Sequence, residues 1–254
     1  MLNRVNLSQS QLVSGIRIND FYTCLGKVDQ IVGMTVEATG IDCSIGDVCT
    51  ISIDTEGKSV LAEVVGFKEG KVLLMPYKDV DGIGYGSVVR NTGAKLTIKM
   101  SDDLIGRTVD ALGNPIDGKG KISGNAYYSI SGVANNPMER PPISTPIELG
   151  VKAIDGMLTI GKGQRMGIFA GSGVGKSTLL GMIARNIKAD VNVIALVGER
   201  GREVLEFINR DLGKEGAKRS VVVVATSDQP AMMRNKCALT ATTIAEYFRD
   251  QGKD

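Results

Sequence analysis

The chain has no histidine and no tryptophan, and among its 254 residues there are only four cysteines. Without an imidazole there is no Ser-His-Asp or Cys-His hydrolase mechanism, and no histidine to complete a zinc site. The cysteines, Cys24, Cys43, Cys49 and Cys237, form no CxxC pair. They read as small apolar residues in a reducing compartment. A strong charge of one sign is also missing. The formal net charge is +2, which argues against a general nucleic-acid binder. No stretch approaches eighteen uninterrupted apolar residues, so no transmembrane helix is expected. The opening MLNRVNLSQSQ lacks the apolar core of a signal peptide. Glycine, by contrast, is abundant at 32 residues, which suits tight turns and close approaches of backbone to a ligand.

The first hundred residues read as strands. Val28–Thr39, Val48–Asp54, Val60–Phe67, Val72–Pro76, Ser87–Asn91 and Leu96–Lys99 are rich in β-branched residues. They are separated by turns such as Glu56-Gly57 and Glu69-Gly70. Six short, closely spaced strands predict a small closed barrel. A Gly/Pro-rich connector follows, with Leu112-Gly113-Asn114-Pro115 in its first part and four prolines within Asn135–Pro146.

From about Gly150 the pattern turns to alternating strands and helices. Strands are expected at Arg165–Ala170, Val191–Val197 and Ser220–Ala225. Helices are expected at Lys176–Asn186, Val204–Leu212 and Asn235–Gln251. Continuous apolar strands between helices predict a parallel sheet covered on both faces. The fold class is therefore α/β, a six-stranded β-barrel followed by a parallel-sheet domain.

Residues 170–178 read Ala-Gly-Ser-Gly-Val-Gly-Lys-Ser-Thr, close to the P-loop pattern GxxxxGK[ST] with Ala170 at the first position. Glycines 171, 173 and 175, with Ser172 and Val174 between them, let backbone N–H groups converge on phosphate oxygens. The following helix adds its positive N-terminal end. Lys176 supplies a point charge to the β/γ-phosphates, Ser177 a hydroxyl to magnesium, and Thr178 a donor on the α-phosphate side. The alternative is a glycine-rich turn capping a helix. An apolar strand before the loop and an amphipathic helix after it favour the nucleotide site.

A second feature, Gly198-Glu199-Arg200-Gly201-Arg202-Glu203, follows Val191–Val197 at the edge where ligands of parallel sheets lie. Glu199 there is either a carboxylate that polarises an attacking water or an acidic residue at a helix start. The loop Thr226–Pro230 reaches the same edge, as a γ-phosphate sensor or, more simply, a turn into a helix.

The runs RMGIFAGSGVGKSTLLGMIARN, NVIALVGERGREVLEFI and SVVVVATSDQPAMMRNKCALTATTIAEYFRDQGKD resemble the type III secretion ATPases, in particular the flagellar protein-export branch. That family is itself similar to the α and β subunits of rotary ATP synthases. LLMPYKDVDGIGYGSVV, GRTVDALGNPIDGKG and ELGVKAIDGMLTIGKGQR carry the same resemblance, which runs from about Gly26 to the last residue.

The resemblance implies an N-terminal segment at 1–25, a barrel at 26–100, a linker at 101–149 and an incomplete RecA-like nucleotide-binding domain at 150–254. It implies ATP and Mg2+ as ligands, and Glu199 as the catalytic glutamate beside Lys176. Arg200 and Arg202 would lie near it at a subunit boundary. The implied partners are five further copies in a homohexamer, a regulatory stalk protein, a central coiled-coil protein, the export gate, and export substrates with their chaperones. The implied location is cytoplasmic, peripheral at the inner membrane. Family members continue beyond the equivalent of Asp254 into a Walker B strand, an arginine finger and a C-terminal domain. The expectation is thus a piece of a longer enzyme that hydrolyses ATP weakly or not at all alone and leaves a sheet edge unpaired. A virulence-secretion or synthase subunit is the sibling reading. A hexameric RNA translocase would need stacking aromatics on the barrel, where few occur. A non-catalytic, nucleotide-binding subunit is the third.

Overall fold

A computed structural model describes residues 24–53, 57–132, 136–171 and 173–254. The N-terminal segment up to Thr23, the end of the Val48–Asp54 strand, Glu56 of the first turn, Asn135 of the connector and Ser172 of the glycine loop lie outside the described residues. The chain divides into two compact units, one reaching Pro76 and including Val80–Ala94, the other comprising Tyr77–Asp79 and Lys95–Asp254.

The first unit is a closed barrel of β1 (Leu25–Val32), β2 (Thr35–Thr39), β3 (Asp47–Ser52), β4 (Ser59–Lys68), β5 (Lys71–Pro76) and β6 (Val88–Lys95), in the order β1-β2-β5-β4-β3-β6. Alternation decides which side chains fill it: Val72 and Leu74 of β5 point inward while Lys71 and Leu73, which alternate with them, are half-buried. Val36, Cys49, Ile51 and Val64 complete the interior from other strands. The β4–β5 turn needs two residues at positive φ, and Glu69 (52°) and Gly70 (76°) supply them.

The expectation of six strands holds, but their membership differs. Val28–Thr39 is not one strand; it folds back at Gly33 (φ 61°), pairing Val32 with Thr35. The turn was hidden because Ile31, Val32, Met34 and Val36 make the run look uniformly apolar. Leu96–Lys99 is not a barrel strand. Its counterpart β7 (Thr97–Met100) pairs antiparallel with β9 (Ala126–Ser129) in the second unit.

The second unit is built on a parallel sheet in the order β10-β11-β8, where β8 is Thr108–Asp110, β10 is Asn192–Val197 and β11 is Ser220–Ala225. Its helices are α1 (Lys152–Asp155), α2 (Lys176–Asn186), α3 (Gly201–Glu206), α4 (Gly213–Lys218) and α5 (Ala231–Asp250), with a π-helix at Phe207–Leu212. Val222 and Val224 pack on one face with Leu180, Ala184, Phe207 and Leu212. On the other face α5 lies against β10 and β11 and buries Cys237, Ile244 and Phe248. Strand β11 is thus covered on both sides, as its unbroken VVVVA run requires, while Ala195 and Val197 of the edge strand β10 stay exposed.

The structure departs from the expected elements at three places. The connector contributes a strand, β8, too short at three residues to show a period among its Gly, Pro and Asp neighbours. The expected helix Val204–Leu212 is an α-turn run into a π-helix. Arg165–Ala170 is not a strand. Its residues carry β-propensity, but none pairs with β10, whose one ladder neighbour among the described residues is β11. Propensity describes a side chain's fit to a pleated surface and cannot supply a partner strand.

The four cysteines are free, with Cys49 and Cys237 buried. Burial pushes the thiol of Cys49 up to about 12 and that of Cys237 up to about 11. Both are inert at neutral pH, and no cluster of metal-ligating residues occurs among the described residues.

Beside β8, Arg107 holds Asp117 by two hydrogen bonds, Nε to Oδ2 at 2.7 Å and Nη2 to Oδ1 at 2.8 Å. The carboxylate also accepts from the backbone N–H of Thr108 and Lys119. These bonds, the arginine's foremost, hold the Asp117 carboxyl well below the usual carboxylate range. A lowered folded pKa means the contribution is complete above the ordinary aspartate value and is lost as pH falls towards the folded one. Asp117→Asn should therefore cost on the order of 2 kcal/mol at neutral pH. That cost should shrink below about pH 4, which a pH series of thermal melts of both proteins checks.

Candidate active site

The glycine-rich loop opens α2, the 11-residue helix Lys176–Asn186. Gly173 and Gly175 have φ of 78° and 96°, a region closed to most L-residues. No atom lies within 4 Å of where a Cβ would stand on Gly171, Gly173 or Gly175, so the backbone faces open space. Gly175 is the N-cap of α2 and no side chain caps the helix. The first-turn N–H groups are left to a ligand or solvent, and the helix dipole favours an anion there. This is the local chemistry of a phosphate cradle.

A cavity of about 350 Å³ is lined by Gly171, Gly173, Gly175, Lys176, Ser177 and Thr178. Facing them are Glu199, Glu203, Glu206, Phe207, Arg210 and Asp211. Two sequence features 23 residues apart (Lys176 and Glu199) thus meet in one cleft. Helix packing explains it: Leu180 and Ala184 of α2 lie against Ile194 and Leu196 of β10, and Ala184 at the rear of α2 meets Asn192 at the start of β10. The front of α2 therefore lies toward the carboxyl end of that strand, where Glu199 follows.

The two loops that leave this edge are stitched together. Gly198 N–H donates to Ala225 O at 2.7 Å and Ser227 N–H to Glu199 O at 3.0 Å. Thr226–Pro230 is a turn, with Gln229 N–H donating to Thr226 O at 3.1 Å just before α5. Its link to the site is the backbone bond that holds Glu199. Glu199 is half-buried.

Of the residues singled out by sequence, Ala170, Val174 and Arg200 are exposed and stand outside the lining of the cavity. Arg200 caps α3 and reaches Glu203 at 3.5 Å. Glu203, Glu206, Phe207, Arg210 and Asp211 were missed. A usable signal existed: Glu203 and Glu206 stand three residues apart in α3 and so share a face, and Arg210 follows four residues later with the opposite charge. Arg210 is held there by the carboxylates of Glu206 and Asp211. A second cavity of similar volume lies beside the first, lined mainly by apolar residues. Met166 and Ile168 face Ala195, Leu196 and Val197 of β10 across it.

A parallel sheet whose strand ends meet a glycine loop, with a lysine and a serine opening the next helix, defines a P-loop nucleotide-binding protein. Two descriptions of a single sequence family match: its beta-barrel domain over residues 28–93 and its nucleotide-binding domain over 150–254. The chain belongs to the ATP synthase alpha/beta family. It is 55% identical over 249 residues to the flagellum-specific ATP synthase of Bacillus subtilis, covering 98% of this chain and 57% of that protein. It is 52% identical over 230 residues to that of Borreliella burgdorferi, covering 91% and 52%. The type 3 secretion system ATPase of Xanthomonas euvesicatoria is 47% identical over 227 residues, covering 89% and 51%. Among solved structures, the assembled ATPase EscN of the enteropathogenic E. coli type III secretion system superposes with a TM-score of 0.81 at 45% identity. It covers 90% of this chain and 54% of its own. The chain therefore spans about half the length of the relatives it matches.

Proposed function

We propose that this chain is the barrel and the phosphate-binding part of an ATPase subunit that hydrolyses ATP to energise flagellar protein export. The observation that carries the reading is the shared cavity, in which Lys176 and Ser177 face Glu199. The flagellum-specific relatives of Bacillus subtilis and Borreliella burgdorferi are more identical to the chain than the secretion-system ATPase of Xanthomonas is, which supports the flagellar branch.

In this reading the backbone of residues 170–175 binds the phosphates of ATP, and Lys176 neutralises charge on the β- and γ-groups. Thr178 lies toward the α-phosphate. Ser177 is the residue that would hold Mg2+; the uncapped helix start and open loop fit a metal-bound polyphosphate. The ion, when bound, offsets the charge that develops on the phosphates. Glu199 accepts a proton from the attacking water, and the Ser227 N–H holds its backbone in place. Arg200, exposed at the start of α3, stands ready to meet phosphate or a neighbouring subunit.

The wider assembly is proposed from the relatives. EscN has been seen assembled, and in complex with its central stalk EscO. By the same scheme this protein forms a hexamer around a coiled-coil stalk. It would work peripherally at the cytoplasmic face of the inner membrane with a regulatory stalk protein, the export gate and chaperoned substrates. No helix among the described residues is long and apolar enough to cross a membrane.

The test is Glu199→Gln. Both proteins should bind a fluorescent ATP analogue with Mg2+ equally well. Release of labelled phosphate in a long, sensitive assay should fall by about a hundredfold or more in the variant, the usual worth of a general base. An unchanged rate in Glu199→Gln would remove Glu199 from the chemistry, and absence of analogue binding by the unaltered chain would remove the nucleotide reading itself.

A further inference from the structure

Helix α2 carries the phosphate loop at one end, and its attachment to the domain is uneven. Its first turn, Lys176–Thr178, is exposed. Of its eleven residues, only Gly181 and Ala184 are buried. The other end is held by polar contacts. The last carbonyls of any helix lack an intrahelical donor, and here one side chain supplies most of what is needed. Arg219 donates through Nη2 to the carbonyls of Ala184, at 2.9 Å, and Arg185. Through Nη1 it donates to Ile187 O at 2.8 Å and Ala189 O at 3.4 Å. Asn192 adds a bond from Nδ2 to Ala184 O at 2.7 Å. A guanidinium can serve several acceptors at once because its donors form a rigid planar fork, and its charge complements the negative end of the helix dipole.

Arg219 is itself fixed where the sheet begins. It stands between α4 and β11, and its carbonyl accepts from the N–H of Asn192, the first residue of β10, at 2.9 Å. Glu199 lies just past the far end of β10. A single residue thus joins the rear of α2, whose front bears the phosphate loop, to the start of the strand that ends beside Glu199. An eleven-residue helix is about 16 Å long and moves as a rod. A shift at its carbonyl end is therefore transmitted to Gly175 and Lys176.

We propose that Arg219 is a positioning residue for nucleotide binding, setting the phosphate loop against Glu199 from the opposite end of helix and strand. The inference rests on the nucleotide reading above and extends it to a residue remote from the cavity.

The experiment uses the whole chain with Arg219→Lys and Arg219→Gln, and Asp117→Asn as a destabilised control that leaves α2 alone. Affinity for a fluorescent ATP analogue with Mg2+ is titrated well below every melting temperature. Arg219→Gln should bind about tenfold more weakly, the effect of a sub-ångström displacement of binding groups. Arg219→Lys, a point charge without the fork, should fall between it and the unaltered protein. Asp117→Asn should lose stability and keep its affinity. If Arg219→Gln does not fold, the affinity of Arg219→Lys decides. Unaltered affinity in a folded Arg219 variant, or an equal loss in Asp117→Asn, overturns the proposal while leaving the nucleotide reading intact. No binding by the unaltered chain overturns the nucleotide reading and this extension with it.

Discussion

Replacing Lys176 by alanine should weaken binding of an ATP analogue about a hundredfold while leaving the melting temperature unchanged. The two halves of this expectation have separate causes. Lys176 is exposed at the first position of α2 and lines the cavity, so its removal opens no core and breaks no apolar contact. Its ammonium is the cation that the phosphate loop itself contributes to the cavity. A polyphosphate bound there without it would face four carboxylates, Glu199, Glu203, Glu206 and Asp211, and on that wall Arg210 is already paired with Glu206 and Asp211. Lys176→Arg should recover part of the affinity, since charge is restored with altered geometry. Titration of a fluorescent analogue alongside thermal melts checks both halves. A Lys176→Ala protein that binds as well as the unaltered chain would mean the loop is only a helix cap.

The second large effect is expected at Gly181. A Cβ there would stand 2.5 Å from the carbonyl oxygen of Asp211, 2.7 Å from its carbonyl carbon and 2.8 Å from its Cβ. These are mainly backbone atoms of the π-helix, so no side-chain rotation relieves the clash. The π-helix is further fixed at this point, because the Arg185 guanidinium donates to the same carbonyl of Asp211. Gly181→Ala must push α2 away from the π-helix that carries Arg210 and Asp211 into the cavity. Overpacking of this severity costs about 3 kcal/mol, which for a chain of this size lowers the melting temperature by roughly 8 °C. Affinity for the ATP analogue should fall too, because the displaced helix carries the phosphate loop. Gly171→Ala is the contrast, since no atom lies within 4 Å of its added methyl. Its melting temperature should stay near that of the unaltered chain. A Gly181→Ala protein with an unchanged melt would show that α2 and the π-helix do not cross this closely.

How much was legible in advance depended on how local the cause was. The glycine loop could be read outright because its chemistry lies in consecutive residues: glycines that allow positive φ, a lysine, a serine and a helix start. Strand β11 could be read because five apolar residues in a row admit little else between turn signals. The barrel was legible as a count and not as a membership, since the turn at Gly33-Met34 lies inside an apolar run and Leu96–Lys99 looks like its neighbours. The acidic wall of the cavity was hidden because Glu203, Glu206 and Arg210 read as the solvated face of a helix until the cleft is seen beside them. Arg219 was invisible, since its partners are backbone carbonyls and carbonyls leave no trace in residue identity.

The sequence by itself determined that a glycine-rich loop of P-loop pattern opens Lys176–Asn186, that apolar strands alternate with helices after Gly150, and that no histidine is present for imidazole chemistry. Those facts rest on side-chain type and short-range spacing, which a linear string records in full. Only the tertiary structure decided that Glu199 shares a cavity with Lys176, that Arg165–Ala170 stands unpaired, and that the connector lends β8 to the sheet. Each depends on which backbone groups find partners across long stretches of chain. That is a property of strand register and helix crossing, and it is settled only when the whole domain packs.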